Sequence, residues 1–353
     1  MSHVPTGSPS DEDIAAEFPS LERWTYVNHA AVSPWPSRTR RAVERFAAWN
    51  HQDGPANFLD WMANEQNLRE RVARLLNATP DGGDIALVPN TTEGVNLVAR
   101  GLDWQPGDNL VTATEEFPTN RMAWEALKAR GISLRAVDLQ SAADPEGALL
   151  DAMDGRTRVL AISSVRWTDG FRLDLGRLGK ACRSAGVLFF VDAIQQFGAL
   201  RIDVEADHID CLAAGSHKWQ MAPEGLGIFY CRQPWRERLE PLKRGWRMLE
   251  RPFQFDDEHR PVRESGARFE PGTPKVIEGR QIEIDRGVGK HTGGIYGDGK
   301  GWIVWPAPEL ETVIRSNDWN DMLIKVEGNR YVTYLNGTQM IDFTYPSPEA
   351  TSG

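Results

Sequence analysis

Two charged side chains stand shortly after apolar runs of the kind that form buried strands. Asp192 follows residues 187–191 (Val-Leu-Phe-Phe-Val), and Lys218 comes shortly after residues 211–214 (Cys-Leu-Ala-Ala). Short runs without a polar residue are typical of strands that are buried on both faces. The carboxyl ends of parallel strands present functional groups at one edge of a sheet. We therefore predict that this acid and this amine belong to one site.

An acid, a lysine and a set of anion ligands form the constellation that pyridoxal phosphate (PLP) requires. The lysine amine forms a Schiff base with the cofactor aldehyde. The acid pairs with the pyridine nitrogen and keeps it protonated. Ser216 and His217 directly precede Lys218 and are suited to holding an anion. The alternatives are a solvated surface charge for Lys218 and a helix N-cap for Asp192.

A second anion-binding segment is predicted near residue 90. A strand at 85–89 runs directly into Asn-Thr-Thr-Glu-Gly, which opens a helix over 95–102. The start of a helix offers free backbone N–H groups and the positive end of its dipole. We predict that Thr91 and Thr92 help to bind a phosphate there. The alternative is an ordinary helix cap.

Three blocks resemble the class V aminotransferases, which include cysteine desulfurases, kynureninases and isopenicillin-N-epimerase-like enzymes. They are residues 191–195 (Val-Asp-Ala-Ile-Gln), 216–218 (Ser-His-Lys) and 268–274 (Arg-Phe-Glu-Pro-Gly-Thr-Pro), and they occur in the family's order. The resemblance implies the large domain of a type I PLP-dependent transferase, with an amino acid as substrate. It makes Lys218 the Schiff-base lysine and Asp192 the pyridinium partner.

The same resemblance implies roles for further residues. Gln195 looks like the hydrogen-bond partner of the ring hydroxyl, and Phe117 stands where many members carry a ring-stacking histidine; the alternative is a core phenylalanine. Ser216, His217, Thr91 and Thr92 look like phosphate ligands.

Other family positions concern the neighbouring subunit and the substrate. In the family the pair Gly272 and Thr273 reaches the phosphate of the neighbouring subunit, so a homodimer is implied. Asn28 and His29 line the substrate side in this interpretation, although a cap at a strand end explains them as well.

Length and composition indicate a globular protein and argue against a nucleic-acid-binding or membrane-spanning one. A chain of 353 residues predicts about two domains. With a net charge of −10 and no basic patch among aromatic residues, nucleic acid is not expected as a partner. The apolar runs are too short to cross a bilayer, and the polar N-terminus lacks a leader pattern. Three cysteines without framework spacing suit a reducing compartment, so we expect a cytoplasmic protein. No metal site is predicted.

Helical and strand patterns alternate between residues 37 and 231, which favours a mostly parallel, doubly wound α/β sheet. A frayed tail over 1–20 leads to a short helix. We predict helices at 37–52, 64–76, 95–102, 120–130, 146–153 and 173–185, and strands at 85–89, 109–112, 133–137, 158–163, 187–192, 211–214 and 225–231.

The pattern changes after about residue 275. Alternating polar and apolar residues with glycine and tryptophan predict antiparallel strands, and Asn336-Gly337 between two such runs indicates a hairpin. This part resembles a 3-keto-disaccharide-hydrolase-type domain, a concanavalin-like jelly roll, through residues 294–297, 318–320 and 334–337. We therefore divide the chain into a tail (1–20), a class V large domain (21–276) and a partial β-sandwich (277–353).

This division implies that the family's small domain is missing. The resemblance places the carboxylate-binding arginine and the desulfurase cysteine in that domain, and no position here matches either. Three hypotheses follow: a PLP enzyme acting on an amino acid by transaminase, lyase or epimerase chemistry, a carbohydrate-active or sugar-binding protein working through the second part, and a non-functional fusion of two truncated genes. For the second hypothesis, Trp302, Trp305, Trp319 and Tyr296 are the candidates for stacking on sugar rings.

Overall fold

The computed structural model describes residues 10–253, 261–272, 281–282, 295–297, 301–304, 306–313, 322–327 and 330–344. The chain divides into two units, Met1–Val276 and Ile277–Gly353. Within the described residues, the first unit contains a seven-stranded sheet and the second contains two antiparallel sheets of three strands each. The predicted combination of an α/β part and an antiparallel β part is confirmed.

The seven-stranded sheet has the order β1-β7-β6-β5-β4-β2-β3. Strand β7 runs antiparallel to both of its neighbours, and the other strands are parallel to one another. The strands are β1 (Ile85–Val88), β2 (Asn109–Ala113), β3 (Ser133–Val137), β4 (Thr157–Ser163), β5 (Leu188–Asp192), β6 (Cys211–Gly215) and β7 (Gly227–Cys231).

Apolar side chains pack on both faces of this sheet, which explains the uninterrupted apolar runs. In β5, Phe189 and Val191 belong to one core cluster, and Leu188 and Phe190 belong to the other. The helices are α1 (Asp11–Glu17), α2 (Ser37–Asp53), α3 (Phe58–Leu76), α4 (Thr91–Gly101), α5 (Thr119–Glu125), α6 (Pro145–Asp151), α7 (Leu175–Ala185) and α8 (Gln233–Arg238).

Several helices differ from the sequence prediction: α3 begins at Phe58 instead of residue 64, and α4 begins at Thr91 instead of residue 95. The helix expected over 120–130 is α5 followed by a 3-10 turn, Ala126–Arg130, which ends at Gly131 with a φ of 78°. Helix α2 forms where its apolar spacing predicts it, but none of its residues is buried by the part of the chain that the structure describes. Among the described helices, none is both long enough and apolar enough to cross a membrane.

The second unit is antiparallel throughout its described strands. A two-residue turn joins β12 to β13, with Asn336 at φ 49° and Gly337 at φ 81°. Two consecutive positive φ values are what a type I′ hairpin turn requires, so the predicted Asn-Gly hairpin is confirmed. The strands are β8 (Gln281–Ile282), β9 (Ile295–Gly297), β10 (Gly301–Val304), β11 (Met322–Glu327), β12 (Arg330–Leu335) and β13 (Thr338–Thr344).

A buried ion pair anchors the segment after residue 265 to the edge of the large sheet. Glu270 accepts from Arg69 Nη2 at 2.6 Å and from the Leu87 backbone N–H at 2.8 Å. The side chains of Arg69 and Glu270 are 10% and 2% exposed. The Glu270 carboxylate therefore holds this segment in place by bonding to both α3 and β1.

Replacing Glu270 by Gln is expected to lower the free energy of unfolding of the first unit by about 3 kcal/mol, because the buried Arg69 loses its main counter-charge. Chemical denaturation measures this. Glu240→Gln is the matched control, since its pair with Arg244 is mostly exposed and should contribute about 0.5 kcal/mol or less. Equal losses in the two variants would contradict the expectation.

Candidate active site

The acid and the amine predicted from sequence lie at the ends of neighbouring strands. Asp192 is the last residue of β5, and Lys218 follows the end of β6 by three residues. Burial raises the pKa of Asp192 to about 6, against the lowering effects of the Ile194 N–H and the charge of Lys218. Burial lowers the pKa of Lys218, and the charge of Asp192 opposes this. The two groups therefore interact electrostatically in a partly dehydrated environment.

Phe117 presents its ring to this pair. The ring centroid lies 5.7 Å from Lys218 Nζ, and 43% of the residue is exposed. The Phe117 and Trp167 rings pack perpendicular to each other, with centroids 5.7 Å apart and an interplanar angle of 89°. Trp167 Nε1 in turn donates to the Glu115 carbonyl at 2.9 Å. Phe117 is thus not a core residue, and its exposed surface can receive a planar group.

The start of α4 is fastened to the end of β6. Thr91 Oγ1 accepts from the Gly215 N–H at 2.8 Å, and Asn90 Oδ1 caps the helix by accepting from the Glu93 N–H at 2.9 Å. A Cβ at Gly94 would lie only 2.6 Å from the Cβ of Ala213. The absence of a side chain at Gly94 therefore lets α4 lie close to β6, with its N-terminus at the edge that carries Lys218.

Threonine hydroxyl groups lie at the start of α4. Thr92 Oγ1 lies 3.2 Å from Thr119 Oγ1, and Ser216 Oγ donates to Gln220 Oε1 at 3.0 Å. Because Thr91 Oγ1 already accepts one bond, its own proton is available for an anion. Burial lowers the pKa of His217, and Lys218 adds to this. The hydroxyls of Thr91 and Thr92, with the free N–H groups of the first turn of α4, fit a phosphate group.

The N-terminal segment, residues 28–30, lies beside the lysine-bearing segment, residues 216–219. Gln195 Nε2 donates to the Ala30 carbonyl at 2.9 Å, and Gln195 Oε1 accepts from Trp219 Nε1 at 3.1 Å. The His29 ring stacks on Trp219 at 5.3 Å. Asn28 is exposed, and its carbonyl accepts from the Ala31 N–H at 3.1 Å. A mainly apolar cavity of about 350 Å³ adjoins His29 and Trp219.

No described contact joins the remaining predicted residues to Asp192 or Lys218. Gly272 is the last described residue of its stretch, with nothing within 4 Å of the position a Cβ would take. Thr273 lies outside the described residues, as do Trp305 and Trp319. Trp302 and Tyr296 are directly paired in β10 and β9. The described residues contain no group of three or more His, Cys, Asp or Glu side chains that could hold a metal ion.

Sequence analysis missed Glu116. Its carboxyl group is buried, accepts from the Ser163 N–H at 2.6 Å and from Asn120 Nδ2 at 2.9 Å, and has its pKa raised by burial to about 7. Beside Glu115 and before an exposed phenylalanine, it resembles a surface acid. No local pattern in the sequence marks it as buried.

Residues 25–280 match the family model of class V aminotransferases. Residues 248–353 match the model of the 3-keto-alpha-glucoside-1,2-lyase-like domain, so this second match begins before residue 277 and overlaps the first. Both resemblances proposed from the sequence are confirmed.

Individual relatives agree with the first match. Probable cysteine desulfurases of Methanothermobacter thermautotrophicus and Pyrococcus abyssi are each 31% identical, over 75% and 78% of this chain and 66% and 69% of their own lengths. The chain thus spans about two thirds of the length of these relatives.

Solved structures share the fold. The cystine C–S lyase C-DES, in complex with cysteine persulfide, has a TM-score of 0.68 and 27% identity, over 73% of this chain and 69% of its own. The apo cysteine desulfurase of Thermococcus onnurineus has a TM-score of 0.66 and 26% identity, over 76% and 68%. The family match over 25–280, with this shared fold, shows that the chain belongs to the class V aminotransferases, a family of PLP-dependent enzymes.

Proposed function

We propose that this chain binds PLP through Lys218 and acts on an amino acid. The observation that carries the proposal is the placement of Lys218 and Asp192 at adjacent strand ends, with the ring of Phe117 5.7 Å from the amine. The test is titration of the purified chain with PLP, in which binding is monitored by the quenching of tryptophan fluorescence and by absorbance. A chain that shows no saturable binding would overturn the proposal.

Each residue has a defined task in this proposal. Asp192 holds a positive charge at the ring nitrogen, and Phe117 covers one ring face. Thr91, Thr92, Ser216 and His217 hold the phosphate, and Gln195 donates its second amide hydrogen to the ring hydroxyl. When bound, PLP supplies an aldehyde for the amine and a protonated ring that withdraws electrons from the substrate.

The burial of Lys218 favours attack by its amine. Because burial lowers the pKa of this lysine, a larger fraction of the amine is neutral at a given pH than in an exposed lysine. Asn28 and His29, beside Trp219, are proposed to lie on the substrate side. The amino acid would thus approach between the N-terminal segment and the lysine-bearing segment.

The burial of the three cysteines argues against a reaction in which a thiol of this chain receives sulfur from the substrate. It leaves lyase, transaminase and epimerase chemistry as the proposed reactions. Cys182, Cys211 and Cys231 are all buried. Burial raises the pKa of Cys182 to about 12 and that of Cys211 well above its ordinary value. Since the thiolate is the nucleophile, none of these groups is suited to receive sulfur from a substrate.

Replacing all three cysteines by Ala or Ser is therefore expected to leave PLP-dependent activity within about threefold of wild type, once folded fractions are matched. Activity is measured as release of product from a panel of amino acids that includes alanine, cysteine and kynurenine. Loss of sulfide release alone, with other reactions retained, would show that a cysteine takes part.

We also propose a homodimer in which Gly272 and Thr273 of each subunit reach the phosphate of the other. The support is that α2 contributes no buried residue to the described part of its own chain, with Trp49 39% exposed. An exposed apolar face of this kind is suited to a partner subunit. Light scattering should give a mass near twice 39.5 kDa, and a monomer at micromolar concentration would contradict this.

A further inference from the structure

Glu116 is a buried carboxyl group that the chemistry described above does not use. It follows β2 and lies directly before Phe117 in the chain. One oxygen accepts from the Ser163 N–H at 2.6 Å, and the other lies 2.5 Å from Ser163 Oγ and 2.9 Å from Asn120 Nδ2. Both oxygens therefore have fixed partners, which an exposed acid would lack.

Those partners connect three elements of the site. Ser163 is the last residue of β4, and the next residue, Ser164, donates its N–H to the Asp192 carbonyl at 3.0 Å. Asn120 lies on α5, where its Oδ1 accepts from Trp124 Nε1 at 2.9 Å. The backbone directly before Phe117 is thus tied to the strand ends that carry the acid.

We propose that Glu116 is a positioning residue, which fixes the backbone before Phe117 and thereby the height of the Phe117 ring relative to the Lys218 amine. This inference rests on the proposed function. The bonds from Glu116 to Ser163 and Asn120 add to the other contacts of Phe117, which include the Asn120 N–H bonded to the Phe117 carbonyl at 2.8 Å and the ring contact with Trp167. A ring at the wrong height loses contact with a planar ligand, because stacking depends on close separation.

The protonation of Glu116 agrees with this role. Burial raises its pKa to about 7, the partners Ser163 and Asn120 act in the opposite direction, and the charged group that raises it further is Asp192. Below that pH, Glu116 is largely neutral and its O–H can donate to Ser163 Oγ. Between about pH 6 and 7, Asp192 is largely ionised while Glu116 is largely neutral, so that two interacting buried charges are avoided.

The test is a double-mutant cycle on the dissociation constant for PLP, with wild type, Glu116→Gln, Phe117→Ala and the double variant. We expect Glu116→Gln to weaken binding several-fold when Phe117 is present and to have no effect when residue 117 is alanine. Glu125→Gln, which removes a half-exposed ion pair with Arg121 on α5, is the matched control and should leave the affinity unchanged. Equal fold losses in both backgrounds would overturn the proposal, because Glu116 would then act independently of Phe117.

A second measurement needs no cofactor. A carboxyl group whose pKa is raised by folding binds more protons in the folded state, so stability falls as pH rises from the unfolded pKa of about 4.3 through the folded pKa. The free energy of unfolding of the cofactor-free wild type should therefore fall more steeply between pH 5 and 8 than that of Glu116→Gln. Equal slopes would show that Glu116 is not a buried acid and would overturn the inference. Failure of the wild type to bind PLP would instead overturn the proposed function.

Discussion

Replacing Lys218 by alanine is expected to abolish covalent attachment of PLP completely. The amine of Lys218 is the group that the sheet brings beside Asp192 and within 5.7 Å of the Phe117 ring centroid. Reduction with borohydride converts a lysine–PLP linkage into a stable bond, which peptide mass mapping then locates. In wild type the pyridoxyl group should be found on Lys218 alone.

The same variant should still bind PLP without a covalent bond. The hydroxyls of Thr91, Thr92 and Ser216 and the start of α4 remain, and they hold the phosphate independently of the amine. Lys180→Ala, which removes an exposed lysine on α7, is the matched control and should retain full labelling. A label on another lysine in wild type, or an undiminished label in Lys218→Ala, would contradict the assignment.

Labelling should also depend on pH. Burial lowers the pKa of Lys218, so its amine is deprotonated at a lower pH than that of a lysine in water. The rate of PLP attachment is therefore expected to reach its plateau at a lower pH in wild type than for a lysine in a model peptide.

The strand ends that carry the site were predictable because they depend on local pattern. An apolar run that ends in Asp192, and another that ends shortly before Lys218, are typical of buried strands, and the helical patterns between such runs favour parallel pairing. The helix predicted over 95–102 forms, but it begins at Thr91, because Asn90 caps it there. The order of these strands and helices along the chain therefore predicts that Asp192 and Lys218 meet at one edge of the sheet.

Glu116 could not be predicted, because tertiary neighbours far away in sequence decide its burial. Ser163 lies 47 residues away from it. The exposed face of α2 was also unpredictable, since the same apolar spacing describes a helix packed on its own core and one that meets another chain. In both places, the sequence pattern is compatible with two environments, and only packing distinguishes them.

Replacing Asp192 by Asn is expected to lower the rate of α-proton exchange of a bound amino acid by at least about 100-fold, the scale seen when one preorganised charge-stabilising group is removed. Asp192 is buried, and a carboxylate and a protonated ring nitrogen stabilise each other strongly in such an environment. An amide of similar size carries no charge. The ring nitrogen would therefore lose its proton, and the ring would withdraw fewer electrons from the substrate.

The substitution should separate chemistry from binding and from stability. PLP affinity should change only a few-fold, because Asn keeps the oxygen that accepts from the Ile194 N–H at 3.1 Å. Burial raises the pKa of Asp192 to about 6, so the ionised group destabilises the cofactor-free fold above that pH, and Asn removes this cost. We expect the cofactor-free Asn variant to be at least as stable as wild type at pH 8.

The exchange of the α-proton is measured by NMR in deuterated solvent with PLP occupancy confirmed, and Asp53→Asn, at the exposed end of α2, serves as control. Unchanged exchange at full occupancy would show that Asp192 does not set the charge of the ring.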